Sequence, residues 1–122
     1  MAPKSVRIRV LNSLLVIRDE NSRDFPDIDR TGVVWSSPSC ILVGCMPDCD
    51  GETHVTIGHA NEIRQDGKLI FDSQLETPSR SIIIHGVVEE RILQIDVPTS
   101  ETRVRIWTNG LRFTDQATIG VG

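Results

Sequence analysis

The sequence predicts an all-β protein. The expected architecture is a two-sheet antiparallel β-sandwich with Greek-key connections and roughly eight to ten short strands, with a closed β-barrel as the alternative. Three observations lead there. Short runs rich in Val, Ile and Thr recur along the chain, punctuated by Gly, Pro, Asn and Asp turn signals. No stretch repeats its apolar residues with a helical period. The densest region, Arg80 to Phe113, reads as successive antiparallel strands broken at Glu89-Glu90 and at Pro98-Thr99-Ser100. A chain of 122 residues is expected to form a single domain, 1–122, with enough buried surface to fold without disulfides.

Taken in order, Ser5 to Asp19 opens with Val6, Ile8 and Val10 alternating with Arg7 and Arg9, the pattern of a half-buried strand. Asn12-Ser13 bends the chain before Leu14 to Ile17. Arg18 to Arg30 is polar and reads as a long surface loop. Gly32 to Ser36 is a short strand ended by Ser37-Pro38, and Cys40 to Met46 is a continuous apolar run, as for a strand buried on both faces. Pro47 to Glu52 reads as a hairpin turn built on Asp50-Gly51, with Thr53 to Ala60 as the returning strand. Asn61 to Gly67 is a polar connection to the strand Lys68 to Leu75, and Gln116 to Val121 is the final strand.

Asn109-Gly110 predicts a definite register. Asn-Gly suits a two-residue type I′ hairpin because both central residues tolerate positive φ. Such a turn sets Thr108 opposite Leu111, Trp107 opposite Arg112 and Ile106 opposite Phe113. Val104, Ile106, Leu111 and Phe113 then face the core, and Arg103, Arg105, Trp107 and Arg112 form an outer basic face.

Composition narrows the function classes. The formal net charge is −4, from 17 acidic and 13 basic residues, which gives no bulk attraction to nucleic acid or anionic membrane. Tyr is absent, so the core is expected to be aliphatic. No apolar run is long enough for a membrane span, and Met1 to Arg7 lacks the apolar segment of a signal peptide. With an odd number of cysteines, three, the expectation is a cytoplasmic protein with reduced thiols.

Five groups of residues could carry chemistry. Cys40, Cys45, Cys49 and His54 are the right ligand types for structural zinc, with Cys45, Cys49 and His54 as the nearest set. The spacing does not match zinc-knuckle pairs, and Cys40 and Cys45 fall on opposite faces of a strand. The expectation is therefore buried thiols, with Cys49 the one most open to redox chemistry, and no metal or other cofactor. The acidic turn Asp48-Cys49-Asp50-Gly51-Glu52 lacks most ligands of a calcium loop and reads as a hairpin turn. The face of Arg103, Arg105, Trp107 and Arg112, extended by Arg7 and Arg9, could hold phosphates, or Trp107 and Arg112 could form a cross-strand cation–π pair. His54, His59 and His85 lack a catalytic motif, and a histidine base oriented by Asp72 is the one imaginable dyad. The fifth group is the acidic loop with Asp19, Glu20, Asp24, Asp27 and Asp29, joined by Asp48, Asp50 and Glu52. Such a cluster can steer a basic protein partner.

The order of segments carries a resemblance. An N-terminal strand leads to an acidic loop, and Gly32-Val33-Val34-Trp35-Ser36-Ser37 precedes a buried strand. Leu69-Ile70-Phe71-Asp72-Ser73 then precedes Leu93-Gln94-Ile95-Asp96-Val97-Pro98 and Thr102-Arg103-Val104-Arg105-Ile106-Trp107. At the level of this pattern the chain resembles small bacterial β-sandwich proteins of the competence-protein J nuclease-inhibitor and immunity type. Thr99 stands where the pattern leads one to expect glycine after Pro98, and no functional residue carries over. The resemblance implies a protein-binding module. The sequence as a whole thus predicts a non-catalytic module that binds an unknown protein partner through acidic loops, in the manner of an inhibitor. The alternatives are a small enzyme or metal protein using the Cys/His segment, and a homo-oligomer joined through strand edges.

Overall fold

Alternating branched apolar and polar side chains favour extended backbone, because each face of the pleat then meets the surroundings it needs. The computed structural model describes residues 3–29, 31–87 and 91–122, and ten strands lie among them. They are β1 (Lys4–Ile8), β2 (Leu14–Asp19), β3 (Val34–Ser37), β4 (Cys40–Gly44), β5 (Thr53–His59), β6 (Lys68–Glu76), β7 (Ser81–His85), β8 (Arg91–Asp96), β9 (Glu101–Thr108) and β10 (Gln116–Val121). One sheet has the order β1-β5-β10-β9-β6 and the other β3-β4-β2-β7-β8. Pairings are antiparallel except between β5 and β10, which run parallel. The two open sheets make a sandwich, and neither closes into a barrel.

One aliphatic cluster fills the space between the sheets. Leu15, Ile17, Ile41, Val43, Ile82 and Ile84 of one sheet meet Val55, Ile57, Val104, Ile106, Ala117 and Ile119 of the other. The apolar run of β4 is buried on both faces, as its composition predicts: Ile41 and Val43 enter the core, while Cys40 and Leu42 pack outside with Val16, Leu14 and Trp35.

The Asp50-Gly51 and Pro98 breaks are crossings between sheets, not turns within one. After Gly44 the chain passes through a 3-10 turn at Asp48–Asp50 and enters β5 in the opposite sheet. Near Pro98 it leaves β8 for β9, again in the other sheet, so the Arg80 region is not one antiparallel run. The Glu89-Glu90 break lies outside the described residues.

The Asn109-Gly110 hairpin does not form. A type I′ turn needs positive φ at both positions. Gly110 has φ of +82°, but Asn109 is not among the residues with positive φ. Side chains instead wrap residues 109–115 into a loop. Asn109 Oδ1 accepts from the Leu111 amide at 2.8 Å, Thr108 Oγ1 from the Gly110 amide at 3.0 Å, and Thr114 Oγ1 from the Asn109 amide at 3.3 Å. β9 pairs with β10 across this loop, Thr108 facing Ala117. Leu111 and Phe113 are consequently 66% and 54% exposed and take no part in the core.

Trp107 lies on the outer face, as expected, but it is buried there, 6% exposed. The cause is a pair of glycines. Gly58 and Gly120 are register partners on β5 and β10 and leave a flat spot on the outer face of their sheet. Ile63 and the Trp107 ring lie on it. A Cβ on Gly120 would sit 2.8 Å from Ile63 Cδ1 and 3.0 Å from Trp107 Cζ3. Gly120→Val should therefore overpack this layer and destabilise the protein by about 2 kcal/mol. Urea unfolding followed by Trp fluorescence would measure it, and an unchanged midpoint would show that the layer gives way freely.

Candidate functional site

The acidic loop after β2 begins with two buried ties. Asp19 is 1% exposed, not a solvated surface acid. Its carboxylate accepts from the Ser79 amide at 3.0 Å, Ser79 Oγ at 2.8 Å and the Asn21 amide at 3.1 Å. These donors satisfy a charge that would otherwise be costly to bury. Arg18 Nη1 reaches the carbonyls of Asp19, Glu20 and Ser22, at 3.0 to 3.2 Å. Behind it stands the buried His85. Its Nδ1 lies 2.6 Å from the Gly86 carbonyl and so carries the ring proton, leaving Nε2 to accept from Arg18 Nε at 2.9 Å.

Further along, the loop is tied at each acid but one. Glu20 pairs with Arg91 at 2.5 Å, and Asp24 accepts from Ser39 Oγ at 2.8 Å. Asp29 Oδ1 accepts from the Gly32 amide at 2.7 Å, the Thr31 amide at 3.0 Å and Trp35 Nε1 at 3.4 Å. The two backbone donors hold the Asp29 carboxyl below its usual carboxylate range. Asp27 remains exposed. Arg30 lies outside the described residues. The start of the loop, with Arg18, Glu20, Arg23, Asp24, Phe25 and His85, borders a cleft of about 530 Å³ that carries both signs of charge.

The second acidic stretch forms the 3-10 turn at Asp48–Asp50 and the link to β5. Asp50 and Glu52 are exposed and Asp48 is half-buried, with Arg9 Nη1 donating to the Asp48 carbonyl at 2.6 Å.

The expected basic face is divided. Arg103 forms a bidentate pair with Asp72, at 2.9 and 2.8 Å, which lowers the Asp72 carboxyl and raises the guanidinium. The cation–π partner of Trp107 is Arg105, 5.7 Å from the ring centroid, not Arg112. Arg112 instead lies 5.7 Å from Phe113 in the 109–115 loop. Arg7 is on β1, separated from β9 by β5 and β10.

The cysteines and histidines do not assemble a centre. Among the described residues no three His, Cys, Asp or Glu side chains converge as metal ligands. Cys40 and Cys45 are buried and Cys49 is exposed. Burial pushes the Cys40 thiol up to about 11 and the Cys45 thiol up to about 12. His54 and His59 lie on β5, whereas His85 is in the opposite sheet, engaged by Arg18 and Gly86. Asp72 is occupied by Arg103, so it orients no histidine.

With this geometry, comparison with known proteins is informative at the level of fold. The chain shares its fold with ComJ. The crystal structure of ComJ, inhibitor of the DNA degrading activity of NucA, from Bacillus subtilis, matches with a TM-score of 0.68 and 13% identity. The match covers 97% of this chain and 93% of that one. A second structure, named Crocagin biosynthetic gene J, matches with a TM-score of 0.54 and 9% identity, over 98% and 94% of the two chains. No protein-family profile matches the sequence, and no curated protein does. The resemblance read from the order of segments is thus a shared fold at very low identity.

Sequence reasoning singled out His85 but not its partner Arg18, and it did not find Ser79 or Ser39. The Arg18–His85, Ser79–Asp19 and Ser39–Asp24 bonds join segments distant in sequence, so no local spacing marks them. Two outcomes follow. Asp19→Ala should leave the Ser79 and Asn21 amides without their charged acceptor and cost about 3 kcal/mol, read as a lower Tm. A neutral Tm would mean that water replaces the carboxylate. A thiol reagent at neutral pH should label Cys49 at once, and Cys40 and Cys45 only on unfolding. Rapid labelling of all three would contradict their burial.

Proposed function

We propose that this protein is a non-catalytic inhibitor-type module that binds a protein, and that its target is a DNA-degrading enzyme with a basic surface. The observation that carries the reading is the pre-ordered acidic loop, in which the buried Asp19 and the exposed Asp24 and Asp29 accept from backbone and hydroxyl donors. Glu20 pairs with Arg91, while Asp27 of the loop and Asp50 and Glu52 of the turn before β5 are exposed. Exposed acids on a loop already held in shape steer a cationic partner at little ordering cost. The fold shared with ComJ, an inhibitor of the DNA degrading activity of NucA, supports the same reading by analogy.

The test is a DNA-degradation assay with purified NucA and a panel of non-specific DNA-degrading enzymes. The protein should suppress at least one of them stoichiometrically. The triple reversal Asp27→Lys, Asp50→Lys, Glu52→Lys should weaken that suppression roughly tenfold or more, about 1.4 kcal/mol, with an unchanged Tm. Asp24 and Asp29 are left intact because both hold the loop together. Full DNA degradation in every mixture would overturn the proposal.

A further inference from the structure

Arg18 holds a positive charge that no carboxylate meets. Its side chain is half-buried, and each hydrogen bond it makes ends on a neutral acceptor. Nε donates to His85 Nε2 at 2.9 Å, and Nη1 is shared among the carbonyls of Asp19, Glu20 and Ser22. Nη2 donates to no described residue and remains open to solvent. A guanidinium taken part-way out of water is costly to hold unless an anion completes it.

Arg18 borders the cleft of about 530 Å³ at the start of the acidic loop, a volume that takes a small organic ligand. Two other residues of this cleft are unengaged. Arg23 is exposed and makes no side-chain hydrogen bond or ion pair with a described residue. Phe25 is 61% exposed, and the buried Pro26 after it restricts its backbone to an extended form. The acids of the cleft are already in use: Glu20 pairs with Arg91, and Asp24 Oδ2 accepts from Ser39 Oγ. Among the described residues, two guanidiniums without a carboxylate thus share the cleft with one carboxylate without a cation, Asp24, and the balance favours an anionic ligand.

The donors that remain also discriminate between anions. With Nε and Nη1 occupied, Arg18 has no two-pronged edge left for a planar carboxylate. Single donors from separate side chains suit the several oxygens of a phosphate group. Phe25 supplies a flat apolar face on which a ring can stack. We propose that this cleft binds a small phosphate monoester bearing a flat ring, with Arg18 and Arg23 on the phosphate and Phe25 against the ring. The site uses none of the exposed acids of the inhibitor reading and does not rest on that reading.

The experiment is calorimetric titration of the full chain with phenyl phosphate, inorganic phosphate and benzoate. Phenyl phosphate should bind one to one in the millimolar range or tighter, inorganic phosphate roughly tenfold more weakly, and benzoate more weakly still. Arg23→Gln should weaken both phosphates roughly tenfold, and Phe25→Ser should bring phenyl phosphate down to the level of inorganic phosphate. Both side chains are exposed, so both variants should keep the wild-type Tm. Adenosine monophosphate and O-phosphotyrosine then separate two sources of such a ligand. Binding of either with the same dependence on Arg23 and Phe25 supports the site, and the tighter of the two tells a nucleotide from a phosphorylated phenol. No heat with either phosphate at millimolar concentration, or affinities that neither variant changes, would overturn the proposal and leave Arg18 as a brace of the loop. Benzoate binding as tightly as phenyl phosphate would refute the choice of phosphate.

Discussion

The structure depends on burying one aliphatic cluster between two sheets that exchange strands. Since neither sheet is built from a single stretch of chain, the polypeptide crosses between them after β1, β4, β6 and β8. Each crossing carries peptide groups that neither sheet's ladder satisfies, and such groups must find partners elsewhere. Here the crossings serve each other. Thr77, after β6, donates its amide to the Ser100 carbonyl and its hydroxyl to the Thr99 carbonyl, and the Val97 amide donates to the Arg80 carbonyl. The crossing after β4 is tied to the one after β1 by the Cys45 amide on the Ser13 carbonyl and by Arg9 on Asp48.

The same economy explains why the loops have definite shapes. The acidic loop is held by Asp19 reaching Ser79 in the crossing before β7, and by Arg18 braced against His85. The 109–115 loop is held to the segments before and after the acidic turn. Surfaces that would be mobile in isolation become parts of the sandwich, and rigidity of this kind is what a binding surface needs if ordering is not to consume its affinity. Residues that look alike in one dimension differ in their ties: Asp19 is buried on Ser79 and Asn21, and the exposed Asp24 and Asp29 accept from Ser39 and from the Thr31 and Gly32 amides.

Much of the strand map was legible because period-two alternation is a local property. β1, β4, β5, β6 and β10 all lie where branched residues and turn signals place them. The buried character of β4 was legible for the same reason: an apolar run without alternation leaves no face for water. The 109–113 segment was misread because Asn-Gly is only a preference. Three side-chain bonds from Thr108, Asn109 and Thr114 outweigh it, and β10 takes the place beside β9 that Leu111 to Phe113 were expected to fill. The outer face of Trp107 was legible but its burial was not, because its cover comes from Ile63 and from two glycines that meet only when β5 and β10 align in parallel.

By itself, then, the sequence determined the all-β class, an aliphatic interior and the positions of most strands, because these follow from composition and from neighbours two residues apart. Tertiary structure decided which breaks are turns and which are crossings, which acids are structural, and where Leu111 and Phe113 point. Each of those outcomes depends on a partner far along the chain: Ser79 for Asp19, Gly120 for Trp107, Gly44 and Met46 for the 109–115 loop. Contacts of that range are set by how two sheets stack, and no local pattern encodes the stacking.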